Sequence, residues 1–160
     1  MSRADLESIH GLRAAVAAFF ARPDDVVHIA YAEGARGALR ETLQEAARRR
    51  IAYTERTEDD LERISGVTHH EGVCIALRPR PLPGPADLED LADAERFLAV
   101  VLDGVTNPHN VGAIVRSMAH FGARVLLVPE GSGPPLSPAA VRIAEGGAEH
   151  VVAMRAPLER

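Results

Sequence analysis

Apolar positions recur along this chain with two different periods. Leu12, Val16, Phe19 and Phe20 return every three or four residues behind Gly11, which predicts a helix over 12–21. Val26-Val27-His28-Ile29-Ala30-Tyr31 is a short apolar run and predicts a strand. Over 35–49, Leu39, Leu43 and Ala46/Ala47 share one face while Arg36, Arg40, Glu41, Glu45 and Arg48 lie elsewhere, the pattern of an amphipathic helix. Ile51-Ala52-Tyr53 predicts a short strand. Thr57 then predicts an N-cap for a helix whose first turn, Glu58-Asp59-Asp60, carries the negative charge a helix N-terminus favours. Gly72 to Leu77 predicts a last strand. The alternation implies a small α/β sandwich of about 75 residues.

Arg78-Pro79-Arg80-Pro81-Leu82-Pro83-Gly84-Pro85 then places prolines at alternate positions, which neither a helix nor a sheet interior accepts. This segment marks a boundary, so the domains are expected at 1–78 and 97–160 with a Pro-rich and acidic linker over 79–96. Residues 86–96 predict an acidic helix inside that linker. Phe97 to Leu102 is a continuous apolar run, expected of a strand covered on both faces. After a polar loop, Asn110 is expected to cap a helix over 111–121 that Gly122 ends. A strand at 124–128, a Gly/Pro/Ser loop, a short helix, Gly146-Gly147 and a strand at 150–154 complete the pattern. Three strands and two short helices make a small parallel sheet. The second domain is therefore expected to be incomplete, either pairing with another chain or belonging to a longer protein.

Composition narrows the classes. The chain has 160 residues, 46% hydrophobic and 26% charged, which is ordinary for a globular protein and excludes collagen-like and disordered readings. No apolar run approaches the ~18 residues of a membrane span, and the first residues do not lead into a signal-peptide core. A single cysteine, Cys74, makes no internal disulfide, and a cytoplasmic location is expected. Net charge is −5, with no lysine among the 18 cations. By region the balance is −2 over 1–78, −3 over 79–96 and 0 over 97–160, so the acidity gathers partly in the linker. A local arginine patch on such a protein still binds phosphates.

Asp103-x-x-x-Asn107-Pro108-x-Asn110-x-Gly112-x-x-x-Arg116-Ser117 carries the chemistry. It runs from a strand end through a loop into a helix, the place where open α/β sheets bind ligands. Gly112 permits close approach of another backbone. Arg116 interrupts the apolar stretch of Val111, Ala113, Ile114 and Val115, and a guanidinium so placed needs either a carboxylate that anchors the helix or a bound phosphate.

This segment resembles the first signature motif of the SpoU/TrmH family of RNA 2′-O-ribose methyltransferases. The similarity continues through His120-Phe121-Gly122 and Arg142-Ile143-Ala144-Glu145-Gly146-Gly147-Ala148-Glu149-His150. Before the spacer, Ile9-His10-Gly11 and His69-His70-Glu71-Gly72-Val73 resemble the two ends of the family's N-terminal domain. The wording is nearest to a tRNA/rRNA methyltransferase subgroup. The resemblance implies an α/β chain: a small L30e-like substrate-binding domain followed by the first half of a SPOUT trefoil-knot methyltransferase domain. It also implies S-adenosyl-L-methionine as methyl donor, tRNA or rRNA as substrate, a homodimer, and roles for Arg116 and Asn110 at the reacting nucleotide. Two later family motifs, a Gly-Glu-x-x-Gly loop and a Ser-Leu-Asn segment, do not occur before Arg160. The donor pocket is therefore expected to lie largely outside this sequence, and the 160 residues alone are expected to be inactive.

Other cations are weighed for RNA contact. Arg48 belongs to Arg48-Arg49-Arg50, which serves either the helix C-terminus or an RNA phosphate patch. Arg36 and Arg40 would extend such a patch. His69 and His70 precede a strand, as RNA contacts or as a solvated loop. Adjacent side chains do not readily share an ion and no ligand set completes them, so no metal is expected. With 4% aromatic residues, recognition by shape and phosphate is expected rather than by base stacking. The reading is an RNA 2′-O-ribose methyltransferase; the alternative is a non-catalytic RNA-binding protein with a truncated knot domain. A Rossmann-like nucleotide site lacks its G-x-G-x-x-G or P-loop.

Overall fold

The computed structural model describes residues 6–80 and 98–157. The chain divides into two units, Met1–Arg80 and Pro81–Arg160, each with its own sheet. The helix expected over 86–96 and most of the proline-rich segment lie outside the described residues.

The first unit contains β1 (Glu7–His10), α1 (Leu12–Ala21), β2 (Val26–Tyr31), α2 (Arg40–Arg49), β3 (Ala52–Glu55), α3 (Glu58–Ser65) and β4 (Val73–Leu77). Its sheet runs β1-β4-β2-β3, with β2 and β3 parallel and β4 antiparallel to both of its neighbours. Register places Ile9, Ile75 and Ile29 in one row across three strands, each 1% exposed. Because strand side chains alternate, the next row, His10, Cys74 and Ala30, faces the other way. There Leu61 and Ile64 of α3 pack with Ala30, Ala32 and Cys74. Thr57 caps α3 as expected, its hydroxyl accepting the Asp60 N–H at 3.2 Å.

Two expectations shift in this unit. The helix expected over 35–49 begins only at Arg40, after a 3₁₀ turn at Glu33–Ala35. Gly37 interrupts the stretch, and glycine is a poor residue for a helix interior. Ala47 is accordingly exposed, and the inner face is Leu39, Leu43 and Ala46. Strand β1 has no separate signal in the sequence pattern, since three of its four residues are polar.

The two segments that resemble the ends of a domain meet. The Gly11 N–H donates to the His70 carbonyl at 3.2 Å, and the Leu12 N–H donates to Glu71 Oε2 at 3.0 Å. Glu71 thereby supplies α1 with the N-terminal partner that Gly11, without a side chain, does not.

The second unit contains β5 (Ala99–Val101), α4 (Pro108–Phe121), β6 (Val125–Pro129), α5 (Pro138–Ile143), a 3₁₀ turn (Gly147–His150) and β7 (Val152–Ala156). All three strands are parallel, in the order β5-β6-β7. Central β6 buries Val125 and Leu126 completely. The first strand, expected to be covered on both faces, is instead an edge among the described residues, and Val101 is 50% exposed. Helix α4 starts at Pro108 because the Asn107 side chain accepts the His109 N–H at 2.9 Å and Pro108 suits the first helical position. It ends at Gly122 in the left-handed region. At Gly112 a Cβ would stand 2.6 Å from both the Ala140 carbonyl oxygen and Ile143 Cβ. The absence of a side chain there lets α4 lie directly on α5.

Candidate functional site

At the C-terminal ends of β5 and β6, the loop before α4 and the loop before α5 enclose a cavity of about 220 Å³. Leu102, Thr106, Pro108 and Val111 line one side, and Val128 and Ser137 contribute to the other. It occupies the position where the loops of a parallel sheet collect ligands. Among the described residues no charged side chain lines it.

Neither Asn110 nor Arg116 lines this cavity. Asn110 is not the helix cap: Asn107 takes that place three residues earlier, and Asn110 is an exposed residue within the first turn of α4. Arg116 lies further along the same helix, its side chain 52% exposed, with Nη1 3.2 Å from Oε1 of Glu145. Of the two partners the sequence left open, the carboxylate is therefore present. Glu145 is itself 36% exposed, and a pair this open to solvent contributes about 0–1 kcal/mol to folding. The other N–H groups of the guanidinium have no partner among the described residues.

Nothing in the sequence pattern marks Glu145 as the partner of Arg116. Its signal was an acidic residue just ahead of Gly146-Gly147 at a helix end. It has φ 50°, in the left-handed region. Gly147 packs against Arg116 closely: a Cβ there would lie 2.9 Å from the Arg116 Cα.

The cations of the first unit are differently placed. His70 is 4% exposed, and its Nδ1 accepts the Gly72 N–H at 3.2 Å. The turn into β4 thus buries His70, whose Nδ1 also lies 3.6 Å from Glu58 Oε2, whereas its neighbour His69 is exposed. Arg36 sits in the turn ahead of α2, outside the helix that Arg40 opens, and faces Glu55 at 3.6 Å. Arg40 opens α2, exposed and without an ion pair among the described residues. Arg48 and Arg49 each donate to Glu45 at 2.7 Å. These bonds, Arg49's first and then Arg48's, hold the Glu45 carboxyl below the usual carboxylate range. Cys74 is buried, with its sulfur 3.2 Å from the Ser8 hydroxyl. Among the described residues no cluster of His, Cys, Asp or Glu is suited to a metal, and no helix is long and apolar enough to cross a membrane.

The sequence profile described as the SpoU rRNA Methylase family matches residues 97–157. The profile described as RNA 2′-O ribose methyltransferase substrate binding matches residues 8–83. The uncharacterized tRNA/rRNA methyltransferase YfiF of Escherichia coli O157:H7 is 35% identical over 149 residues, covering 93% of this chain and 43% of that protein. The 23S rRNA (guanosine-2′-O-)-methyltransferase RlmB of Pseudomonas syringae pv. tomato is 38% identical over 149 residues, covering 90% and 58%. The crystal structure of the SpoU methyltransferase AviRb from Streptomyces viridochromogenes, in complex with AdoMet, superposes with a TM-score of 0.73 at 25% identity over 98% of this chain and 56% of that one. The chain thus spans about half the length of these relatives.

Proposed function

We infer, from the premise that this chain belongs to the SpoU rRNA methylase family, that its residues serve the S-adenosylmethionine-dependent methylation of a ribose 2′-hydroxyl in tRNA or rRNA. The observation that supports this most is the tandem of an RNA substrate-binding segment over 8–83 and a methylase segment over 97–157 in one chain. Residues 1–78 grip RNA, 79–96 connect, and 97–160 face the reacting nucleotide. The cytoplasm as compartment and a second copy of the chain as partner belong to the same reading.

The chemistry asks little of acid–base groups and much of positioning. A ribose hydroxyl is a weak nucleophile, and displacement at a methyl carbon requires attack in line with the departing sulfur. A guanidinium offers hydrogen-bond donors and no acceptor, so Arg116 does not remove the hydroxyl proton. Its guanidinium instead grips the adjoining phosphate in a forked pair and stabilises negative charge as it gathers on the 2′-oxygen. Asn110, exposed one turn and a half before it, offers an amide to the same nucleotide. Arg40, Arg36 and His69 of the first unit add sequence-independent phosphate contacts; Arg48, already held by Glu45, adds less.

When bound, S-adenosylmethionine supplies an electrophilic methyl group. The 220 Å³ cavity beside α4 is smaller than the ~300 Å³ at which small-molecule sites begin, and among the described residues it offers no charged side chain to an amino-acid carboxylate or ammonium. The described residues do not hold the donor by themselves.

The test is Arg116→Ala in the complete gene product, with transfer of tritiated methyl from S-adenosylmethionine to total RNA of a strain lacking the gene. We expect turnover to fall at least about a hundredfold, with the melting temperature unchanged because the lost ion pair is exposed. Wild-type turnover by this variant overturns the role of Arg116. RNA retention with no methyl transfer by the wild-type protein leaves the non-catalytic RNA-binding reading in its place.

A further inference from the structure

We propose that Glu145 is a positioning residue for Arg116, holding the guanidinium in the orientation in which it meets the target nucleotide. This rests on the reading of Arg116 given above. Three observations on Glu145 and Gly147 converge on it. The Glu145 carboxylate lies 3.2 Å from Arg116 Nη1. Glu145 occupies a left-handed backbone conformation that a glycine would adopt at lower cost, although glycines follow it at 146 and 147. Gly147 approaches the Arg116 backbone so closely that a Cβ would stand 2.9 Å from its Cα and 3.1 Å from the Val115 carbonyl oxygen. The turn after α5 is thus built against the backbone and the side chain of one arginine.

Stability does not account for the arrangement. An ion pair with partners 52% and 36% exposed contributes little to folding, and the positive φ at Glu145 works against it. An arginine has many rotamers, and fixing one of them before RNA arrives removes an entropic cost from the reactive complex. A single carboxylate contact at Nη1 does this while leaving the rest of the fork for a phosphate. The carboxylate also repels phosphate placed anywhere but on the far side of the guanidinium, which sets the direction of approach.

The experiment compares Glu145→Gln, Glu145→Asp and Glu145→Gly in the complete gene product, with total RNA from a strain lacking the gene as methyl acceptor. Positioning predicts that Glu145→Gln and Glu145→Gly each lower kcat roughly ten- to a hundredfold with the apparent KM for RNA unchanged or lower. Glu145→Asp retains the charge and should recover most of kcat. Glu145→Gly separates the two roles, because relief of the backbone conformation should raise its melting temperature while its turnover falls. Wild-type kcat in both Glu145→Gln and Glu145→Gly overturns the proposal, as does a loss that merely follows melting temperature across the three variants. Arg116→Ala in parallel keeps the failures apart. Full activity in that variant removes the reading of Arg116 itself, whereas an inactive Arg116→Ala beside fully active Glu145 variants removes only the present inference.

Discussion

In the first unit, His70 is 4% exposed and its ring accepts a backbone N–H from Gly72; in the second, Arg116 is half exposed and holds one carboxylate. Both belong to segments with the same kind of family resemblance. The His69–Val73 segment, together with Ile9-His10-Gly11, stitches the ends of a domain together through the Gly11 and Leu12 N–H groups, while the Gly72 N–H closes its own turn on His70. The Asn107–Ser117 segment caps its own helix with Asn107 and leaves Asn110 and Arg116 facing solvent. A motif residue buried in its own turn and bonded to that turn's backbone builds the fold. One left open to solvent by a well-capped helix is available to a ligand.

That contrast can be broken first at the glycines of the second unit. Gly112→Ala gains about 1 kcal/mol of helix propensity. It also sets a methyl group 2.6 Å from the Ala140 oxygen, and the net expectation is a loss of about 2 kcal/mol in chemical denaturation. A stabilised variant would show that α4 and α5 separate without cost. The adjacent histidines provide a smaller and sharper test. His70→Ala should lose about 1 kcal/mol by stranding the Gly72 N–H, with RNA binding by the folded protein unchanged. His69→Ala should stay within about 0.5 kcal/mol of wild type yet weaken filter retention of tRNA. The reverse outcome would erase the distinction.

The smallest expected effect concerns Glu45. Its carboxyl is held below the usual range by Arg49 and Arg48, so their pairing stabilises α2 at neutral pH. The contribution is fully present above the ordinary carboxylate pKa and is lost as pH falls through the lowered value. Melting curves of wild type and Glu45→Gln should therefore differ slightly at pH 7 and coincide in strong acid.

Much of the mixed α/β fold was legible because apolar periodicity and turn residues agree. The spacing over 12–21, the Thr57 cap and the Gly122 stop each correspond to a structural element with those bounds or that role. Strand β1 was not legible, because three of its four residues are polar and only its pairing with β4 makes it a strand. The start of α4 was misplaced because two asparagines compete as caps, and the adjoining Pro108 decides for Asn107. At the site, the sequence showed that Arg116 needs a partner. It did not show which, since Glu145 lies across a loop and a helix whose return to α4 depends on Gly112 and Gly147 fitting without side chains.

Strands β1 and β4 run in opposite directions, with Glu7 opposite Leu77 and His10 opposite Cys74. Tension applied to the chain on the outer sides of these two strands would therefore open their ladder one rung at a time, as a zip opens, instead of shearing all rungs together. Arg22 and Arg80 clasp Glu7 at 2.8 and 3.3 Å at the mouth of that zip. The fastening is electrostatic and partly exposed, so rising salt would loosen first the place where mechanical parting begins.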